Sequence, residues 1–178
     1  MLLGLCAKLS CVNIFHAQLH STLSTIFGVF NCRANTAIDP SPTFISLASK
    51  NRRKLNHNVN IDIIQGKAEN LPFRPFSFDT VICFLVLCTV GNVTESIKQI
   101  KKVLKPGGKL LLFEHVLAKD ESIAKWQNFL NPMWRHIGCG CNLTRDTLNS
   151  INIEGFNSEN VSYHKSSGMG FPITSQVI

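Results

Sequence analysis

One stretch of this chain constrains its fold more than any other: Ser77 to His115, SFDTVICFLVLCTVGNVTESIKQIKKVLKPGGKLLLFEH, reads as strand, helix, Pro-Gly-Gly turn and strand. Phe78 to Leu87 is a nearly unbroken apolar run holding Val81, Ile82, Val86 and Leu87, the pattern of a strand covered on both faces as in a parallel sheet. After Thr94, the apolar residues Ile97, Ile100, Val103 and Leu104 recur at helical steps, which marks one face of a short amphipathic helix. Pro106 stops that helix, Gly107 and Gly108 supply freedom for a tight reversal, and Lys109 to Glu114 forms a second buried strand. The unit belongs to an α/β fold.

Upstream, Thr36 to Asp39 reads as a strand end, and Pro40 with Ser41-Pro42 turns the chain into a helix with Phe44, Leu47, Ala48 and Leu55 on one side. Ile61 to Ile64 is the next strand, followed by a loop from Gly66 to Pro75. Downstream, Ser122 to Leu130 is a helix that Asn131-Pro132 is expected to break, and Thr144 is a candidate cap for another. Residues 1 to about 35 show no clean period.

In their order and spacing these segments resemble class I S-adenosylmethionine (SAM) dependent methyltransferases of the type 11 domain. In that family "SFD" opens the fourth strand and "LKPGG" precedes the fifth. Ala68-Glu69-Asn70-Leu71-Pro72-Phe73 is similar to the family's "AE-LPF" segment after the third strand, and Ala37-Ile38-Asp39-Pro40 to the end of the second. Cys141-Asn142-Leu143-Thr144-Arg145 and the Trp126, Pro132, Trp134 cluster narrow the resemblance to the thiol S-methyltransferases of endoplasmic reticulum and lipid droplets. It covers roughly Ala37 to Phe156.

The resemblance implies a Rossmann-like class I sheet with helices on both faces, incomplete at the first and last strands, with an atypical segment over 1–35 and a partial methyltransferase domain over 36–178. In such a sheet ligands bind at the carboxyl ends of the strands. Asp39 is then the expected ribose ligand, since a carboxylate accepts bonds from both hydroxyls; its structural alternative is the Asp-Pro turn and helix cap. Ala68 and Glu69 are the expected adenine contacts. Cys83, Phe84 and Leu85 would wall the methionine portion, or simply belong to the core. Glu114 and His115 end the fifth strand, and His115 is the candidate general base.

The chain departs from the family in its glycines. Class I enzymes place a glycine-rich loop after the first strand so that backbone can approach the cofactor, but before Gly66 only Gly4 and Gly28 occur. The pairs in Gly138-Cys139-Gly140 and Gly168-Met169-Gly170 come after the fifth strand. Leu23 to Phe30 could pass for the missing strand, yet only Asn31 to Asn35 separate it from Thr36, and a parallel crossover needs about ten to twelve residues. The first strand is therefore expected to be absent, leaving central ladder groups unpaired at roughly 1–3 kcal/mol each.

At 178 residues, 44% apolar and 16% charged, the chain is one globular domain by composition. The net charge of +7 raises nucleic acid as a partner, but its clusters, Lys50-Arg52-Arg53-Lys54 and Lys98-Lys101-Lys102-Lys105, lie on helices and join no recognised nucleic-acid module. An anionic membrane surface is an equally good use of that charge. Seven irregularly spaced cysteines indicate reduced thiols, with Cys83 and Cys88 in the core. His136, Cys139 and Cys141 make too weak a pattern for a metal site, and no metal is expected. The triplets at Asn92, Asn142 and Asn160 are read as unused glycosylation acceptors. The amino terminus, MLLGLCAKLSCVNIF, is interrupted by Lys8, Ser10 and Asn13, and no run of about 18 apolar residues exists.

The leading expectation is a SAM-dependent methyltransferase acting on a small molecule, a thiol foremost, located in the cytoplasm or peripherally at the endoplasmic reticulum or lipid-droplet membrane surface, with no nucleic acid as partner. Its rivals are a catalytically silent relative acting as a binding partner and a basic nucleic-acid-binding protein.

Overall fold

The computed structural model describes residues 2–6, 35–52, 61–159, 161–165 and 174–177. Leu23 to Phe30, Arg53-Lys54, Leu55, Asn160 and Gly168 to Gly170 lie outside them. Seven strands form one sheet: β1 (Leu2–Cys6), β2 (Asn35–Asp39), β3 (Ile61–Gln65), β4 (Phe78–Phe84), β5 (Leu104–Val116), β6 (Ser162–Lys165) and β7 (Thr174–Val177). The helices are α1 (Pro42–Arg52), α2 (Val93–Val103), α3 (Glu121–Ile137) and α4 (Thr147–Ile153).

The strand order is β3-β2-β1-β4-β5-β7-β6. β2 and β3 are parallel, as are β4 and β5, while β1 runs antiparallel to both β2 and β4. β7 is antiparallel to β5 and to β6. Among the described residues no parallel strand occupies the central slot. That slot is instead filled by β1 in the opposite direction, with Leu3 opposite Ile38 on one side and Cys83 on the other. The unpaired central ladder anticipated from the sequence therefore does not arise.

The core follows from alternation along β4. Val81 and Cys83 join Ile97, Ile100 and Val103 of α2 in one cluster. Ile82, which alternation points to the opposite face, is equally buried, so the sheet is covered on both sides. At full burial each such side chain contributes about 1.5–3 kcal/mol relative to exposure.

Four local readings change. β4 ends at Phe84 rather than Leu87, because Leu85 sits at φ 53° and turns the chain out of the sheet. α2 ends at Val103, and Pro106-Gly107-Gly108 belongs to β5 as an irregularity: the pairing passes from Phe78–Leu104 to Thr80–Lys109. Gly107 takes φ 74° there, and a Cβ on Gly108 would stand 2.9 Å from the Lys105 carbonyl oxygen, so both positions require glycine.

α3 runs through Pro132 to Ile137 instead of breaking. The carbonyl that Pro132 leaves without a donor belongs to Asn128, which is exposed and accessible to water. The helix is also tied from its other side: Gln127, fully buried, accepts the Ala118 N–H at 2.7 Å and donates to the Val116 carbonyl at 3.0 Å. Finally, the cap of α4 is Asp146, whose side chain accepts the Asn149 N–H, and not Thr144.

Candidate functional site

The parallel relations bring the carboxyl ends of β2, β3, β4 and β5 to one edge of the sheet. At this edge a cleft of about 430 Å³ is lined by residues that include Asp39, Phe44, Ala68, Glu69, Val86 and Val90. Asp39, last in β2, is buried, and its Oδ1 accepts the Ser41 N–H at 2.7 Å, so it closes the Asp-Pro turn before α1. Glu69 reaches across the cleft mouth: its Oε1 accepts the N–H groups of Gly91 at 2.8 Å and Asn92 at 3.3 Å. Asn92 in turn caps α2 by accepting the Glu95 N–H.

The turn between β4 and α2 is held from beneath by Glu114 of β5. This carboxylate is 1% exposed, and it accepts the N–H groups of Val86, Leu87 and Cys88 at 2.9, 3.0 and 3.0 Å. Burial raises its pKa, and the three amide bonds oppose that rise. The carbonyls of the same turn face Arg145, which donates to Leu87 O and, at 2.6 Å, to Val90 O. Burial lowers the guanidinium pKa.

Behind the turn lies a cluster of two thiols and an imidazole. Cys88 Sγ is 3.6 Å from Cys141 Sγ, and His115 Nδ1 is 3.1 Å from the same Cys141 sulfur. Both cysteines are buried, His115 partly so. The hydrogen bond with Cys141, burial and the Glu114 charge all push the Cys88 thiol pKa up. The Cys141 thiol is lowered to about 5, first by the Cys88 hydrogen bond and then by His115 and the Trp134 indole, against the opposing effect of burial. Leu85, held at φ 53° and donating to Phe113 O at 2.7 Å, packs on this cluster, a strained backbone position of the kind that accumulates at functional sites.

Of the sequence candidates, Asp39, Ala68 and Glu69 come together in the cleft. Cys83, Phe84 and Leu85 do not line it: Cys83 is in the core, Phe84 stacks on Phe113 with ring centroids 4.6 Å apart, and Leu85 faces the cysteine cluster. The cleft is lined instead by the next residues along the chain, Val86, Thr89, Val90 and Gly91. His115 faces Cys141 and is absent from the cleft lining. Sequence reading missed the pairing of Cys88 with Cys141 and the tie from Arg145 to the turn; the only signal available was the Cys141 to Arg145 segment itself.

The profile of the family described as "Methyltransferase domain" matches residues 21–112, just over half of the chain. This chain belongs to the methyltransferase domain family. It is 39% identical over 118 residues to thiol S-methyltransferase TMT1B of Rattus norvegicus, covering 65% of this chain and 48% of that protein. To thiol S-methyltransferase TMT1A of Homo sapiens it is 34% identical over 127 residues, 70% of this chain and 52% of that one. The chain thus spans about half the length of the curated relatives it matches. Among solved structures, a putative methyltransferase from Bacillus halodurans superposes with a TM-score of 0.67 at 20% identity, covering 83% of this chain and 63% of that one. A SAM-dependent methyltransferase from Methanosarcina mazei gives 0.62 at 20% identity over 80% and 79%. These likenesses establish the Rossmann-like methyltransferase fold.

Proposed function

We propose that this chain carries the fold of a SAM-dependent methyltransferase for a small thiol, with the cofactor in the cleft at the ends of β2, β3 and β4. The observation that supports this most is the convergence of Asp39, Ala68 and Glu69 on one cleft of about 430 Å³, within the size of ordinary ligand pockets. Its lining suits an adenosine: carboxylates to accept from hydroxyl and amine groups, and apolar walls from Ile38, Phe44, Val86 and Val90 for the base. When bound, SAM supplies an electrophilic methyl group on a sulfonium. Asp39 would hold the ribose, and Ala68 and Glu69 the adenine. The turn from Val86 to Gly91 would exclude water from the methionine side.

A thiol acceptor needs little further help. Its free pKa is about 8.5, so part of it is thiolate near neutrality, and the remaining demand is an in-line approach at about 3–3.5 Å. This agrees with a cleft that His115 does not line.

Calorimetric titration of SAM into the chain tests the site. Without a glycine loop, the loss of two or three close hydrogen bonds lowers affinity by one to two orders of magnitude, at about 1 kcal/mol each. Weak binding that Asp39→Ala abolishes is expected. Binding unaffected by that substitution would remove the cleft from consideration.

A membrane surface is the proposed setting. Among the described residues no helix is long and apolar enough to cross a membrane. α3, however, exposes Trp126, Phe129, Met133 and Ile137 at helical spacing, with Lys125 and Arg135 beside them, the composition of a helix that lies in an interface. Flotation with anionic vesicles is expected to carry the native chain and to lose it in Trp126→Ser/Phe129→Ser; flotation unchanged in that variant would exclude α3.

A further inference from the structure

We propose that Cys88, His115 and Cys141 form a binding site for a thiophilic divalent cation, Zn²⁺ foremost, with one coordination position left open. The proposal is independent of the methyl-transfer reading. It rests on three donor atoms brought from three separate elements, the turn after β4, the end of β5 and the loop after α3, all within 4.8 Å of one another.

The distances suit a tetrahedral ion. Zinc–sulfur bonds of about 2.3 Å and zinc–nitrogen bonds of about 2.0–2.1 Å require a sulfur–sulfur edge near 3.8 Å and a sulfur–nitrogen edge near 3.6 Å. The observed separations are 3.6 Å for Cys88 to Cys141 and 3.1 Å for His115 Nδ1 to Cys141. These two edges open by about 0.2 and 0.5 Å to admit the ion, and the third, Cys88 to His115, lies within 4.8 Å. Two thiolates balance a divalent charge, so the ion would enter this buried place without leaving net charge behind.

The frame around the donors is built in advance. Asn142 donates its N–H to Cys88 O at 2.7 Å, which fixes the two cysteine segments against each other. Gly140 N–H to Arg135 O at 2.9 Å and Leu143 N–H to Asn131 Oδ1 at 2.9 Å lock the loop that carries Cys141. Glu114 pins the Cys88 backbone. Ligands preset in this way need little ordering on binding. The described residues offer no fourth ligand, and three protein ligands with an open position are the arrangement of a reactive rather than a purely structural zinc site. His136 and Cys139, which the sequence placed beside Cys141 as candidates, take no part in the cluster.

The test is metal loading of the whole chain. Elemental analysis after dialysis against Zn²⁺ and then metal-free buffer is expected to find one zinc per chain. Replacement by Co²⁺ is expected to give a near-ultraviolet thiolate-to-cobalt charge-transfer band with the visible bands of tetrahedral cobalt. Cys88→Ser and Cys141→Ser should each weaken loading by more than about 100-fold, beyond the range for outer-shell partners, and His136→Ala should leave it unchanged. If these serine variants fail to fold, the native chain still decides, since Zn²⁺ must raise its melting temperature. Cobalt bound without the charge-transfer band, or a melting temperature indifferent to Zn²⁺, overturns the proposal.

Discussion

Glu69 and Glu114 grip the same stretch of chain, one from each end, at very different depths. Glu69 stands half-buried at the cleft and accepts the N–H groups of Gly91 and Asn92. Glu114 lies sealed beneath and accepts those of Val86, Leu87 and Cys88. Around the first, water can replace a lost partner. Around the second it cannot, so every amide stripped of its acceptor bears its full desolvation cost. The shallow carboxylate can thus be altered at little cost to the fold, and the deep one is committed to the turn.

The largest effect is expected from Glu114→Gln. One amide oxygen cannot replace two carboxylate oxygens across three donors, and the new NH₂ group faces N–H groups. Stability should fall by about 3 kcal/mol or more, read as a lower urea midpoint at unchanged slope. Arg145→Lys comes next: an ammonium cannot reproduce the fork that spans Leu87 O and Val90 O, and a loss of about 1–2 kcal/mol is expected in thermal melting. Glu69→Gln should cost under about 1 kcal/mol of stability while weakening SAM in calorimetry. Equal stability losses for the two glutamates would break the contrast between them, and a Glu69→Gln chain that binds SAM as well as the native one would remove Glu69 from the cofactor's contacts.

The same contrast explains what the sequence disclosed. The β4-α2-β5 unit was legible because periodicity and the Pro-Gly-Gly break are local signals, and the meeting of Asp39, Ala68 and Glu69 in one cleft was legible because the resemblance put them after consecutive parallel strands, whose ends share one edge. Cys83 to Leu85 misled: the apolar run continues to Leu87, and nothing in it announces that Leu85 turns at positive φ while Glu114 takes over the hydrogen bonding beyond it. Pro132 misled for a similar reason, since a proline is tolerated when the orphaned carbonyl faces water. Cys88, His115 and Cys141 meet across sequence separations of 26 and 53 residues, and only tertiary structure reveals such a meeting.

The reversed direction of β1 has a consequence for traffic through the sheet. Leu2 pairs with Phe84 at the ligand edge, and Cys6 pairs with Thr80 toward the far edge. The chain therefore leaves β1 on the side of the sheet remote from Asp39 and Glu69. In a strand running with its neighbours, the next residues would emerge at the carboxyl edge, where a loop's backbone can approach a ligand closely. Here the carboxyl end of β1 lies at the opposite edge of the sheet from Asp39. Among the described residues the cleft is lined by the ends of β2 and β3 and by the turn between β4 and α2, so those segments, and not the end of β1, would have to supply any close backbone contact there.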